Sequence, residues 1–210
     1  MSRILYINAS PRGERSQSKA VADAFVEAYR TARPGDTVKT IDLFETELPP
    51  FDGLALQAKY SILGGGEPTP EERKGWKAVE EAIAEFKAAD KYVFAVPMWN
   101  FQIPYKLKHY FDVIVQPGYT FSFSPETGYD GLVKGRPVFV AYARGGSYAA
   151  GTEAAALDFQ APYIRQILGF MGLTDIREVM VEPTLGSDPE AARSVREAAM
   201  DKARVLAGAF

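Results

Sequence analysis

Short, almost continuous apolar runs alternate with amphipathic helical patterns along this chain, and no other feature of the sequence limits its fold so strongly. The runs lie at residues 4–7, 92–96, 138–142 and 176–181. The first three are hydrophobic at nearly every position, which is typical of strands buried on both faces of a parallel sheet. The segment at residues 38–43 is more polar, with Lys39 and Asp42, and is predicted to be an edge strand.

Helical patterns lie between these runs. One helix start is predicted at Thr69, Pro70 and Glu72, which supply an N-cap, a first-turn proline and a capping-box glutamate. The apolar stripe that follows this start is Trp76, Val79, Ile83 and Phe86. Ser187 and Glu190 repeat the same signal before a last helix. Strands that alternate with helices predict an α/β fold, in which right-handed crossovers place helices on both faces of a parallel sheet.

A length of 210 residues fits one α/β domain, which is predicted to span residues 1–210. Two stretches interrupt the alternation of strands and helices, and long structured loops of this kind are often functional. Residues 44–68 form an insertion with a helical patch at residues 54–63. Residues 116–135 carry four aromatic residues, Tyr119, Phe121, Phe123 and Tyr129, whose spacing predicts a small hairpin arm.

The hairpin arm has no evident place in the core of a five-stranded domain, so its aromatic side chains are expected to contact a partner. Because the arm follows the helix that Pro104 begins, we expect it on the same side of the sheet as the loops that follow the strands. The alternative is that these aromatic residues fold back onto the domain's own core.

Composition excludes several classes of function. Basic and acidic residues number 24 and 27, a balance that gives no sign of nucleic-acid binding, and no apolar run approaches the ~20 residues that span a membrane. The chain has no cysteine and no cluster typical of a metal site, so no metal is expected. Without a signal-peptide pattern at its start, the protein is predicted to be cytoplasmic.

The first strand is followed by a loop rich in hydroxyl groups. Ser10, Ser16 and Ser18 converge there at a predicted helix start, with Arg12 and Arg15 close by. Free backbone amides and the helix dipole at such a start bind anions. Because no G-x-G-x-x-G and no Walker lysine is present, a monophosphate is favoured over a dinucleotide or a nucleoside triphosphate. The alternative is an N-cap within an ordinary polar loop.

The loops after the next two buried strands could hold a flat heterocycle. Residues 97–104 combine large apolar side chains with the amide of Asn100, which could bond the carbonyls and nitrogens of a ring. Gly145 and Gly146 follow the next strand and let the backbone approach a ligand closely. The alternatives are a hydrophobic loop that anchors a helix and an ordinary glycine turn. The single histidine, His109, is predicted to lie exposed on a helix rather than to act in catalysis.

Taken together, these loops resemble those of the FMN-dependent NADH-azoreductases, also called FMN-dependent NADH:quinone oxidoreductases, over nearly the whole chain. The motifs that carry the resemblance are Ser10-Pro11-Arg12, Ser16-Gln17-Ser18, Pro97-Met98-Trp99-Asn100-Phe101, Tyr110-Phe111-Asp112, Arg144-Gly145-Gly146 and Leu168-Gly169-Phe170-Met171-Gly172. The resemblance implies a flavodoxin-like fold with strand order 2-1-3-4-5, FMN as cofactor and NADH as electron donor. It also implies a homodimer whose sites are lined by both subunits, so that Phe121 and Phe123 of the arm would face a substrate.

The resemblance also implies residue roles. The phosphate of FMN would be held by Ser10, Ser16, Gln17 and Ser18. Its ring would be held by Pro97, Met98, Trp99, Asn100 and Phe101, and the pyrimidine end by Ala143, Arg144, Gly145 and Gly146. Trp99 and Ala143 stand where the family usually has Tyr and Ser, so redox tuning and substrate fit are expected to differ from the family pattern. Asn100 is the candidate for stabilising charge on the reduced flavin.

The implied activity is the transfer of two electrons from NADH to quinones and the reductive cleavage of aromatic azo compounds, by a ping-pong mechanism. Three alternatives stay open at this stage. They are an electron carrier without NADH turnover, an NADPH-linked reductase of iron, chromate or another small acceptor, and a binding module without enzymatic activity.

Overall fold

Five strands form one parallel sheet in the computed structural model, which describes residues 1–186 and 188–210. The strands in chain order are β1 (Arg3–Asn8), β2 (Thr37–Asp42), β3 (Lys91–Pro97), β4 (Phe121–Ser124), β5 (Gly128–Gly131), β6 (Val138–Ala143) and β7 (Ile176–Val181). The order across the large sheet is β2-β1-β3-β6-β7, which confirms the predicted 2-1-3-4-5 topology. β2 lies at one edge and is mostly exposed, as its polar residues predict.

Helices cover both faces of this sheet. They are α1 (Gln17–Ala32), α2 (Gly53–Leu63), α3 (Pro70–Lys87), α4 (Tyr105–Ile114), α5 (Ala161–Phe170) and α6 (Pro189–Gly208). α1 and α6 pack together on one face, where Phe25 stacks on Phe139 at 3.9 Å between ring centroids. α3, α4 and α5 cover the other face. In the part of the chain that the structure describes, no helix has the length and apolarity needed to cross a membrane.

The helix starts follow the predicted signals. Thr69 Oγ1 accepts from Glu72 N at 3.3 Å and Glu72 Oε2 accepts from Thr69 N at 2.7 Å, so the predicted capping box is formed. All four residues of the apolar stripe in α3 are buried. Ser187, the predicted cap of the last helix, lies outside the described residues. Asp188 caps α6, because its Oδ1 accepts from Glu190 N at 2.9 Å.

The strand order reverses between β1 and β3. The chain goes from β1 to one neighbour, β2, and then crosses back to add β3 on the other side of β1. Loops that leave the carboxyl ends of β1 and β3 therefore turn to opposite faces and leave a crevice, which is where parallel α/β sheets bind ligands.

The antiparallel strands β4 and β5 form the hairpin arm. The arm lies at the amino ends of the parallel strands, opposite the loops that follow these strands. Its base packs closely on the end of α5, where a Cβ added at Gly131 would lie 2.2 Å from the nitrogen of Gly172. The expectation that the arm lies beside the strand-end loops is therefore wrong. α4 and α5 run antiparallel to the strands, so their C-termini lie at the amino ends of the strands.

The four aromatic residues of this region divide into two pairs. Tyr119 folds back on α3, where its hydroxyl donates to Glu80 Oε1 at 2.5 Å, and Phe121 is half-buried with its ring 4.6 Å from that of Phe170. Phe123 and Tyr129 are 60% and 66% exposed and pack on each other. The prediction of an exposed aromatic arm therefore applies to Phe123 and Tyr129 alone.

His109 differs from its predicted place on the surface. Its side chain is half-buried, and Nε2 lies 2.9 Å from the carbonyl oxygen of Pro49. The imidazole thereby attaches the insertion after β2 to α4, a long-range contact that the helical phase of His109 does not predict.

Candidate functional site

The loops that follow β1, β3, β6 and β7 surround a cavity of about 140 Å³. Its lining consists of Ser10, Arg12, Ser16, Gln17, Pro97, Met98, Trp99, Ala143, Gly145, Thr184 and Leu185. Eight of these residues were predicted as site residues from the sequence. Thr184 and Leu185 were missed, although they follow β7 at the same sheet edge, a position that predicts a ligand contact.

A second cavity of about 360 Å³ adjoins the first, since Trp99 lines both. Asn100 lines this second cavity together with Tyr105 and Lys108. Of the other predicted residues, Ser18 is buried in the loop after β1, and Phe101 and Gly146 are exposed in the loops after β3 and β6. The structure thus brings the three predicted loops to one edge of the sheet.

The serine loop is a buried cradle with unsatisfied polar groups. Ser10, Ser16 and Ser18 are each at most 3% exposed. Ser16 Oγ caps α1 by accepting from Lys19 N at 3.1 Å, and it lies 3.3 Å from Ser18 Oγ. Within the described residues, Ser10 Oγ and Gln17 Oε1 have no hydrogen-bond partner. Leaving such a group unpaired costs about 1–3 kcal/mol, so the cradle is built for a polar ligand.

The charge around the cradle favours an anion. The first-turn amides of α1 point toward the loop, as at any helix start, and Arg12 lines the cavity. No carboxylate occurs among the lining residues of the described chain. Lys19 Nζ donates to Asp23 Oδ2 at 2.6 Å and lies 3.7 Å from Glu14 Oε1, and the Asp23 hydrogen bond raises the pKa of Lys19, so this charge is already paired within the protein and the anion would meet the amides and Arg12.

Asn8 holds the serine loop in place and was not predicted as a site residue. Its Nδ2 donates to Asp42 Oδ2 at 2.6 Å and to Ser10 O at 3.2 Å. Its Oδ1 accepts from Ser10 N at 3.1 Å. Asn8 is therefore a buried brace between the end of β1 and the end of β2, which fixes the unpaired Ser10 hydroxyl in the cavity wall.

The loop after β3 makes a tight turn with a strained backbone. Trp99 and Gln102 exchange two backbone hydrogen bonds of 2.8 and 2.9 Å, and the two residues between them have positive φ values, 48° for Asn100 and 68° for Phe101. A left-handed backbone costs about 1–2 kcal/mol for a residue such as Phe. It persists here because Phe159 N donates to Phe101 O at 3.0 Å. Strain of this kind is characteristic of ligand-binding loops.

The side chain of Arg144 is buried and bonds other side chains of the protein, which its predicted role did not include. The side chain is 1% exposed, and its guanidinium donates to Asp158 Oδ2 at 2.8 Å, to Gln160 Oε1 at 2.9 Å and to Glu182 Oε2 at 3.3 Å. Its backbone nitrogen donates to Val181 O at 3.0 Å. The guanidinium and the amide of Arg144 are thus already paired within the protein. A cofactor contact by Arg144 stays a prediction, and its side chain itself holds other parts of the chain.

The buried cluster around Arg144 joins the ends of three strands. Gln160 Nε2 donates to Val96 O in β3 at 3.0 Å. Glu182, which follows β7, accepts from Tyr148 N at 3.1 Å and so holds the loop after β6. Sequence reasoning missed Asp158, Gln160 and Glu182. Only Glu182 carries a local signal, as a charged residue directly after a buried strand.

Residues 2–205 match a protein-family model described as a flavodoxin-like fold. The FMN-dependent NADH:quinone oxidoreductase of Nitratidesulfovibrio vulgaris (strain DP4) is 56% identical over 211 residues, covering 100% of both chains. That of Desulfotalea psychrophila is 49% identical over 185 residues, covering 88% of this chain and 87% of the relative.

Solved structures give the same picture. An azoreductase from Bacillus anthracis superimposes with a TM-score of 0.91 at 31% identity and covers 100% of both chains. An FMN-dependent NADH-azoreductase from Bacillus anthracis in complex with FMN has a TM-score of 0.86 at 32% identity, with 99% of this chain and 100% of that chain covered.

The Arg144 cluster yields a prediction about stability. Arg144→Gln leaves two carboxylates, whose side chains are only 12% and 15% exposed, without their cation and is expected to lower the free energy of unfolding by about 3 kcal/mol. Arg204→Gln is the matched control, since Arg204 pairs with Asp201 on the surface and such pairs contribute about 0–1 kcal/mol. Urea unfolding followed by circular dichroism measures both. Equal, small losses in the two variants would contradict a central role for the cluster.

Proposed function

We propose that this chain is a single-domain enzyme of residues 1–210 that binds FMN and reduces quinones and aromatic azo compounds with NADH. It belongs to the family of FMN-dependent NADH:quinone oxidoreductases, which has a flavodoxin-like fold. The observation that carries the proposal is the buried hydroxyl of Ser10, which has no hydrogen-bond partner among the described residues and lies at the start of α1 in a cavity whose described lining holds no carboxylate. Because NADH is a cofactor of the cell interior, the proposed location is the cytoplasm.

The phosphate of FMN fits the cradle. Ser10 Oγ is available to donate to a phosphate oxygen, and the amides of Gln17 and Ser18 in the first turn of α1 add further donors. Ser16 orients this turn as its N-cap. The absence of a second phosphate-binding loop in the sequence supports a mononucleotide over a dinucleotide.

The ring of FMN is assigned to the two loops beside the cradle. Pro97 and Met98 line the cavity at the end of β3, and Trp99 continues this wall into the adjoining cavity. Ala143 and Gly145 form the opposite wall, with Gly146 next to them. The ring centroid of Trp99 lies 5.7 Å from that of Phe44 and 6.3 Å from that of Tyr105. Aromatic contacts therefore hold the indole, which lacks the hydroxyl group of the tyrosine usual in the family. Arg144 and its carboxylate partners keep the Gly145 loop in position from behind.

FMN supplies the redox chemistry when bound, since its ring takes up a hydride from NADH and passes two electrons to the acceptor. The residues of this chain orient both reactants. The adjoining cavity lies next to Trp99 and has Asn100 and Tyr105 in its wall, so NADH and the acceptor would occupy it in turn. This shared surface is the reason to propose a ping-pong mechanism. Asn100 is the proposed amide donor toward negative charge on the reduced ring.

The hairpin arm supports a homodimer. Phe123 and Tyr129 are exposed, and the arm packs against Phe170 at the C-terminal end of α5, whereas Gln160 beside the cavity precedes the N-terminal end of that helix. One arm is therefore separated from its own cavity by the length of α5, about 15 Å. An exposed aromatic pair at this distance is placed to contact a second copy, and a two-fold dimer would use the same contact twice.

The cofactor assignment is tested by Ser16→Asp. Aspartate is as good an N-cap as serine, so α1 is expected to remain intact while a carboxylate faces the phosphate. We expect the affinity for FMN to fall about a hundredfold or more. Ser194→Asp, an exposed position in α6, is the control and is expected to bind FMN normally. Flavin fluorescence titration gives the affinities, and heat release with chromatography identifies the bound flavin. FAD, or an unchanged affinity, would refute the assignment.

The mechanism is tested by kinetics with Asn100→Gly, which accepts the left-handed backbone and removes only the amide side chain. Anaerobic reduction of the flavin by NADH is expected to slow about tenfold. In steady state, the parent protein is expected to give parallel double-reciprocal lines when quinone is varied at several NADH concentrations. Intersecting lines would mean that donor and acceptor bind together, and an unchanged reduction rate would remove Asn100 from the mechanism.

The dimer is tested by Phe123→Asp combined with Tyr129→Asp. Two carboxylates on the exposed arm are expected to give a folded monomer in sedimentation experiments, with most of the quinone reductase activity lost. Val205→Asp, 77% exposed on α6, serves as the control and is expected to remain dimeric and active. A monomeric parent protein, or a monomeric variant with full activity, would contradict the proposal.

A further inference from the structure

A cavity of about 430 Å³ lies between the insertion after β2 and α3. Its lining includes Pro49, Pro50, Ala78, Ala82 and Tyr110. No described residue of this lining belongs to the two cavities of the proposed FMN site. Its volume lies within the range of small-molecule sites.

One wall of this cavity is apolar and rigid. Ala78 and Ala82 lie one turn apart on α3, and their small side chains leave a flat strip of helix surface open. Pro49 and Pro50 form the opposite side, where the carbonyl of Pro49 is held by His109 at 2.9 Å. A flat ring would fit between the helix strip and the two prolines.

A buried phenol with no partner forms part of the same wall. Tyr110 is 2% exposed, and its hydroxyl has no hydrogen-bond partner among the described residues. Burial, with the nearby charge of Glu85, raises the pKa of Tyr110, so the phenol stays protonated and can donate as well as accept. A ligand with a hydroxyl group would supply the missing partner.

The charged side chains of the lining are acidic. Glu47, Glu81 and Glu85 are all present, and no lysine or arginine is among the described lining residues. Glu85 is paired with Lys39. Glu81 lies 3.9 Å from Lys77 in an exposed pair, which is weak, and Glu47 has no ion pair within the described chain. The open side of the cavity therefore favours a cation and disfavours a carboxylate.

We propose that this cavity is a separate binding site for a small arylalkylammonium ion that carries a ring hydroxyl group. The ring lies between the alanine strip of α3 and the two prolines. The ring hydroxyl bonds Tyr110, and the ammonium group faces Glu47 and Glu81. The inference does not depend on the proposed FMN chemistry, because the two sites share no described residue.

The experiment is calorimetric titration of the purified protein with its bound cofactor. Tyramine has the ring, the hydroxyl and the ammonium group, and its dissociation constant is expected to be about 0.1–1 mM. Phenethylamine, which lacks the hydroxyl, is expected to bind about tenfold more weakly. The carboxylate 3-(4-hydroxyphenyl)propanoate is expected not to bind. Equal binding of all three compounds, or no binding of tyramine at 10-fold higher concentration, would overturn the proposal.

Variants of the cavity locate the binding. Tyr110→Phe is expected to lower the affinity for tyramine about tenfold and to leave that for phenethylamine unchanged. Glu81→Gln is expected to weaken both amines about threefold, whereas Glu71→Gln, an exposed position on the same helix, should have no effect. Ala82→Trp fills the cavity and is expected to abolish binding, with Ala78→Leu as the smaller substitution if that variant does not fold. Tyramine binding that survives both filled cavities would show that it binds elsewhere.

Discussion

The three central strands, β1, β3 and β6, are covered by helices on both faces, and the rest of the structure depends on this double burial. Each side chain of Tyr92, Val93, Phe94 and Val96 in β3 is fully buried. Burial of a large apolar side chain contributes about 1.5–3 kcal/mol, so the central strands supply much of the stability of the fold. Because parallel strands end at one edge, the same burial brings their loops together there and makes a site out of segments far apart in sequence.

That edge concentrates the polar groups that the core cannot accept. At the end of β1, the loop is braced by Asn8 and leaves the hydroxyl of Ser10 unpaired. At the end of β6, a buried arginine is satisfied by two carboxylates and an amide, and these tie together the ends of β3, β6 and β7. The loop after β1 and the cluster after β6 differ in whether their polar groups are paired. The first leaves a donor available for a ligand, and the second uses all its donors to hold the ligand-binding loops in place.

The two insertions, which are residues 44–68 and the hairpin arm, lie outside the central sheet. One follows the exposed edge strand β2, and the other packs on the end of α5. The insertion after β2 is attached to α4 through His109 and closes a cavity over α3. The hairpin arm packs on the end of α5, at the edge of the sheet away from the proposed FMN site. Both insertions therefore add surfaces that the central sheet lacks. We assign one to a second copy of the chain and the other to a small cation.

The sequence by itself determined the fold class and the loops of the site, because apolar period, capping residues and strand-end positions are local patterns set by backbone geometry, whereas the strand order came from the resemblance to a known family. Residue by residue, it placed Ser10, Ser16, Trp99 and Gly145 correctly at one sheet edge. Only the tertiary structure decided that Tyr119 folds onto α3, that His109 holds Pro49 and that Arg144 faces inward. Each of these depends on a partner 14 to 60 residues away in sequence. Which distant group satisfies a buried polar side chain is a property of packing, and no local pattern encodes it.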